Sequence, residues 1–168
     1  MEKIEWIEEC LRHALEVAWL EGHEPALKLL DRILYEEPGY SRLHHTIGVI
    51  YLQYAEDTKM AEGHFRLAIR FDPEFADPYW YLGELLRLED RLDDAIDVYL
   101  KGIEARRARK SDLLAGAGQA YELKKKYRKA IRHYKKALDH SAVSSDCRAL
   151  EQSIIRCRRK RKGKVREN

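Results

Sequence analysis

The chain has 168 residues, 45% hydrophobic and 36% charged, with only four prolines and nine glycines, so it can bury a core beneath a strongly solvated surface. No run approaches the roughly 18 consecutive apolar residues of a membrane span, and the opening Met1-Glu2-Lys3-Ile4-Glu5 lacks the charged-then-apolar order of a signal peptide; no membrane partner and a cytoplasmic location are expected. The net charge of +3 conceals a polarity: residues 1–100 hold 10 Lys+Arg against 22 Asp+Glu, net −12, whereas residues 101–168 hold 22 against 7, net +15.

Alanine, leucine, glutamate, lysine and arginine dominate and period-two alternation is missing, which predicts helix nearly everywhere. Gly48, Gly83 and Gly118 recur every 35 residues. Ala26, Ala61, Ala95 and Ala130 recur at intervals of 35, 34 and 35, each followed four positions later by Leu30, Phe65, Tyr99 or Tyr134. Each period holds two amphipathic segments of about a dozen residues, too short to be stable alone in water, so each must stack on its neighbour. The small residues let backbones approach, and Tyr51, Phe65, Tyr99, Tyr121 and Tyr134 fill the space between hairpins.

In chain order, the first unit, about 7–40, is degenerate: Cys10, Ala14, Val17, Ala26, Leu30 and Pro38, with Glu24-Pro25 opening its second helix. The second, 41–75, has Ser41 as a candidate cap, then Ile47-Gly48, Tyr51, Ala61, Phe65, Ala68 and Pro73, with one extra residue around Ala55-Glu56-Asp57-Thr58. The third, 76–110, starts a helix at Asp77-Pro78 and continues Tyr79-Trp80-Tyr81-Leu82-Gly83, Leu86, Ala95-Ile96 and Tyr99. The fourth, 111–143, has Ser111 as cap, Gly118, Tyr121, Ala130-Ile131, Tyr134 and Ala137. Ser144-Ser145 can start one more helix, 144–158, in which Cys147, Leu150, Ile154 and Cys157 form a single apolar stripe that covers the last hairpin; 159–168 reads as a basic tail.

These markers resemble the tetratricopeptide repeat family, whose ~34-residue pattern runs large residue, Leu-Gly, Tyr, Ala, Phe or Tyr, Ala, Pro. The resemblance covers roughly residues 7–142 as four repeats, within a domain expected to span 1–142. It implies an all-α fold: a right-handed superhelix, or α-solenoid, of four hairpins with a C-terminal capping helix. It also implies a function, binding a protein or peptide segment on the concave face lined by the first helix of every unit. Carried over position by position, the inward residues include Trp19 in the first unit, then Arg42, His45, Val49 and Leu52. The third unit supplies Asp77, Trp80, Tyr81, Glu84 and Arg87, and the fourth Gln119 and Glu122. The family's two-carboxylate clamp is missing: Leu15, Val49, Glu84 and Gln119 stand where it has asparagine, and Leu11, His45, Trp80 and Ala115 where it has lysine. An aromatic, apolar and acidic groove of this kind fits a segment with large apolar anchors and some positive charge. Trp80 either packs on the next hairpin or faces the groove. Tyr79 and Leu82 already supply the packing positions, which leaves Trp80 to the groove.

A second candidate surface is basic. Lys124, Lys125, Lys126 and Arg128 recur with Arg156, Arg158, Arg159 and Lys160, downstream of Arg106-Arg107-Ala108-Arg109-Lys110. Such clusters bind nucleic acid or an acidic protein by counterion release, or else form a solvated face. The charge polarity also allows head-to-tail assembly into a homo-oligomer. Cys10, Cys147 and Cys157 lack CxxC spacing and read as small core residues. His44-His45 point in different directions on a helix, and no HExxH, GxSxG or Gly-rich phosphate loop occurs. An enzyme, a metal site and a cofactor are not expected.

Overall fold

The computed structural model describes residues 3–142 and 144–166; Met1, Glu2, Val143 and the Glu167 and Asn168 of the expected tail lie outside them. Nine helices follow one another among the described residues: α1 (Lys3–Glu21), α2 (His23–Glu36), α3 (Ser41–Tyr54), α4 (Thr58–Phe71), α5 (Asp77–Leu88), α6 (Leu92–Gly102), α7 (Lys110–Leu123), α8 (Tyr127–Asp139) and α9 (Ser144–Arg166). The fold is all-α, of the solenoid class. The chain divides into two compact units, one ending at Tyr81 and one beginning at Leu82.

In the first unit, α1 turns Ile7, Leu11, Ala14, Val17 and Ala18 inward at helical spacing. They pack against Ala26, Leu30 and Ile33 of α2 and Leu43, Ile47 and Ile50 of α3. Each large aliphatic side chain so buried contributes about 1.5–3 kcal/mol. In the second unit the corresponding core joins Leu114 of α7, Ala130, Tyr134 and Ala137 of α8, and Leu150, Ile154 and Cys157 of α9. Cys157 is fully buried, whereas Cys10, packed against the first core, and Cys147 are half-buried.

The glycine beat has a direct steric cause. Phe65, Tyr99 and Tyr134 are buried to 1% exposure or less, and their rings lie against Gly48, Gly83 and Gly118 of the preceding helix. A Cβ at those glycines would stand 2.7, 2.4 and 2.7 Å from the ring edge. Tyr99 meets a second such surface at Gly116 on α7, where a Cβ would come within 2.6 Å.

The hairpin ends are closed by polar contacts that differ from the expected caps. Ser41 and Ser111 do not cap their own helices. Ser41 Oγ donates to the Ala68 carbonyl at the end of α4, and Ser111 Oγ to the Ala137 carbonyl near the end of α8, both at 3.0 Å. Each hydroxyl adds a second bond to a carbonyl that already accepts a backbone amide, from Asp72 at Ala68 and from His140 at Ala137. Asp57 does act as a cap, accepting from the Met60 amide at 3.0 Å. The turn inside each hairpin carries a left-handed residue, namely Gly22, Glu56, Asp90 and Lys125, spaced by 34, 34 and 35. After Asp90 and Lys125 the next amide bonds back five residues, Arg91 to Leu86 and Lys126 to Tyr121, but Asp57 bonds back six, to Tyr51. That longer reach absorbs the extra residue of the second repeat.

The last helix does not stop near 158. Its apolar stripe ends at Cys157, yet the backbone stays helical to Arg166, because lysine and arginine are good helix formers even where nothing remains to be covered.

Gly83→Ala is expected to cost about 1–3 kcal/mol or more, since the Tyr99 ring is enclosed and cannot withdraw. Gly63→Ala, also in a helix but with open space around it, should gain up to about 1 kcal/mol. Urea denaturation of the two variants checks this, and equal midpoints would remove ring enclosure as the constraint.

Candidate partner-binding surfaces

Helices α1 and α3 of the first unit leave between them an open cleft of about 800 Å³. Leu11, Leu15, His45 and Phe75 give it an apolar base, while Glu5, Glu8, Glu9 and Asp77 supply carboxylates and Arg12 and Arg42 the cations. Arg42 is held by Glu8 at 2.8 Å and lies over the Phe75 ring, 5.9 Å from its centroid, within cation–π range. The same Glu8 accepts from the Tyr40 hydroxyl. Burial, foremost, and this hydrogen bond push the Tyr40 hydroxyl up to about 12.

Behind the cleft runs an aromatic chain. His45 meets Phe75 and Tyr81 edge-on at 5.2 and 5.1 Å, Tyr81 stacks near Phe65 at 5.5 Å, and Trp80 stands edge-on to Tyr81 at 5.1 Å. Burial pushes the His45 imidazole down to about 4 despite Asp77 nearby, so the ring is neutral at pH 7. Its Nδ1 is buried with no hydrogen-bond partner among the described residues. His44, next in sequence, faces another way. Its Nε2 lies 2.8 Å from the Pro38 carbonyl and its Nδ1 3.1 Å from Nδ1 of His64. A carbonyl only accepts, so His44 carries its proton on Nε2 and His64 donates from Nδ1. Burial, then the neighbouring His44, holds His64 down at about 4.

The other expected groove residues of the first unit take separate places. Trp19 is 76% exposed and shares a small apolar depression with Leu15 and Leu20 on α1. Leu52 is half-buried. Val49 is 7% exposed and belongs to the core, so it offers a partner little surface. Phe75 escaped the sequence reading because it lies in the loop after Pro73, outside any helical register; its signal was a lone aromatic beside a proline.

In the second unit the expected charged positions satisfy one another. Arg87 Nη2 donates to Glu84 Oε2 at 2.6 Å, and the Tyr99 hydroxyl donates to Glu84 Oε1. Glu122 is engaged more fully. Arg156 grips both its oxygens at 2.8 Å, Lys160 reaches Oε1 at 2.8 Å and Tyr134 donates to Oε2 at 3.1 Å. These donors, Arg156 first, hold the Glu122 carboxyl down at about 2 against the opposing effect of burial. The basic surface divides accordingly. Arg156 and Lys160 are tied to Glu122 and Lys124 to Asp93, while Lys125, Lys126, Arg128, Arg158 and Arg159 are exposed. Gln119, also exposed, joins Arg87, Glu122, Lys125, Arg156 and Lys160 around a cleft of about 380 Å³.

Residues 111–140 match the tetratricopeptide repeat family model. The fold is similar to that of solved structures of MamA (TM-score 0.69, 22% identity, 80% of this chain and 72% of that one) and of pilF from Pseudomonas aeruginosa (TM-score 0.72, 19% identity, 91% and 72%). A second MamA structure aligns over 91% of this chain and 96% of its own, with TM-score 0.68 and 16% identity. No curated protein sequence matches the chain.

Because the Glu122 carboxyl titrates below its ordinary range in the folded protein, the stability it supplies is complete above about pH 4.5 and is lost as pH falls towards 2. Glu122→Gln should cost about 1–3 kcal/mol at pH 7 and flatten that acid limb. Thermal unfolding of both proteins from pH 7 to 2 measures it; parallel curves would show that the contact with α9 carries no stability.

Proposed function

From a chain whose fold is that of the tetratricopeptide repeat, we propose an adaptor or assembly module that grips a partner segment in the α1–α3 cleft of its first unit. The observation that carries this reading is the cleft itself, an apolar base of Leu11, Leu15, His45 and Phe75 rimmed by four carboxylates against two guanidinium groups. A large apolar side chain of the partner covers the aromatic base, and a neighbouring lysine or arginine meets Glu5, Glu9 or Asp77. Trp80, joined to the base through Tyr81 and His45, extends the aromatic contact. Chaperone C-terminal carboxylates are poor ligands for such a rim.

Selection of random 12-residue peptides by phage display on the purified protein should enrich sequences that pair a large apolar residue with lysine or arginine. Phe75→Ala and Trp80→Ala should then weaken a selected peptide about 10-fold at low and high salt alike, while Asp77→Lys should matter mainly at low salt. Enrichment of acidic peptides, or binding indifferent to Phe75, would sink the reading.

Head-to-tail self-association is a second reading, favoured by the opposite charge of the two units: residues 1–81 carry 8 Lys+Arg against 16 Asp+Glu, residues 82–168 carry 24 against 13. Sedimentation should show mass rising with concentration at low salt and reverting to monomer at about 0.5 M salt. A monomer at every concentration in low salt eliminates it.

A further inference from the structure

We propose that the α8–α9 end of the second unit binds the phosphate backbone of duplex DNA without reading its sequence. Helix α8 buries Ala130, Tyr134 and Ala137 and turns Arg128, Lys129, Arg132, Lys135 and Lys136 outward, all exposed. Asp139 is its only carboxylate. Lys129 lies over the Tyr121 ring, and the other four cations form no ion pair among the described residues. The sequence reading named Arg128 of this row but not Arg132, Lys135 or Lys136, whose charges continue it at helical spacing.

Helix α9 adds a second rod of charge. Past Cys157 its exposed residues include Arg158, Arg159, Arg161 and Lys162. At about 100° per residue these four share an arc of roughly 160°, one broad face of the helix. Like charges three and four positions apart repel one another, at a small cost to the helix for each pair, and a polyanion laid against them turns that cost into attraction. Where α9 crosses the end of α7, Arg87, Lys125, Arg156 and Lys160 surround one cleft in which Glu122 is the only carboxylate. Glu84 also pairs with Arg87 from beside the cleft, so four cations face two carboxylates, and the excess leaves room and charge for a single phosphate.

Two further observations select duplex DNA. Tyr99, Tyr121, Tyr127 and Tyr134 are the aromatic residues of the second unit, and each is buried or half-buried. No exposed tyrosine, phenylalanine or tryptophan ring is available among the described residues of this unit for stacking unpaired bases, on which single-strand binding relies, and the exposed His140 offers only a small imidazole. A helix about 10–12 Å across also fits the ~12 Å major groove of B-form DNA but not the narrow one of A-form RNA.

The test is fluorescence anisotropy with a labelled 20-base-pair DNA duplex over a salt series from 50 to 300 mM. Log affinity should fall linearly with log salt, with a slope of about −4 to −6 for roughly four to six phosphates contacted. The exposed pairs Arg132→Glu with Lys136→Glu, and Arg159→Glu with Lys162→Glu, should each weaken binding about 10-fold or more and flatten the slope by about 2. Lys59→Glu with Arg70→Glu, in the first unit, should change nothing, and circular dichroism should show all three variants folded. The proposal fails if no binding is seen at 50 mM salt or if both second-unit variants bind as wild type. It also fails if single-stranded DNA or duplex RNA of equal phosphate number, or polyglutamate of equal charge, binds as tightly as the duplex.

Discussion

A flat aromatic ring pressed against a helix that has no side chain at the point of contact is the constraint on which the rest of this structure depends. At Gly48, Gly83 and Gly118 the partner ring occupies the volume a methyl group would need, so helix spacing within the second, third and fourth hairpins is fixed by Phe65, Tyr99 and Tyr134. Interiors pack at crystal-like density and transmit misfit. The relative placement of first and second helix in a hairpin, and hence the face each presents to solvent, follows from that one contact.

Charged side chains are then distributed by what the faces leave open. In the second unit, Glu84 and Glu122 lie close enough to Tyr99 and Tyr134 to accept from their hydroxyls, and each recruits arginine as well. The polar ends of the buried rings thereby draw in the acidic residues of the surrounding surface. In the first unit the residue corresponding to those tyrosines is Phe65, or Leu30, neither of which has a hydroxyl to offer. There Glu8 of α1 is drawn instead to the Tyr40 hydroxyl and to Arg42, at the margin of the cleft beside Glu5 and Glu9.

Much of this was legible because packing imposes residue identity at a fixed interval. The glycine, alanine and aromatic beats are steric requirements that repeat with the hairpin, so they survive as periodicity, and the all-α fold could be read from them. Register also located Arg42, His45 and Asp77, which the structure brings to one cleft. What lacks a period was not legible. The grip of Arg156 and Lys160 on Glu122 joins residues 34 and 38 positions apart, through the single non-repeated helix. Phe75 acts from a loop. Val49 occupies an expected inward position yet is enclosed by its neighbours, since register gives a direction but not how much of it the adjoining helices cover.

The serine hydroxyls that reach across to the far end of their own hairpin, Ser41 to Ala68 and Ser111 to Ala137, mean that these two repeats carry their own fastening. Every atom of the clasp is encoded within one period of the chain. Tandem copying of such a segment would therefore deliver a ready-secured building block, with no new join to be evolved at its open side. That is a material reason why lengthening by duplication is an accessible route for this architecture.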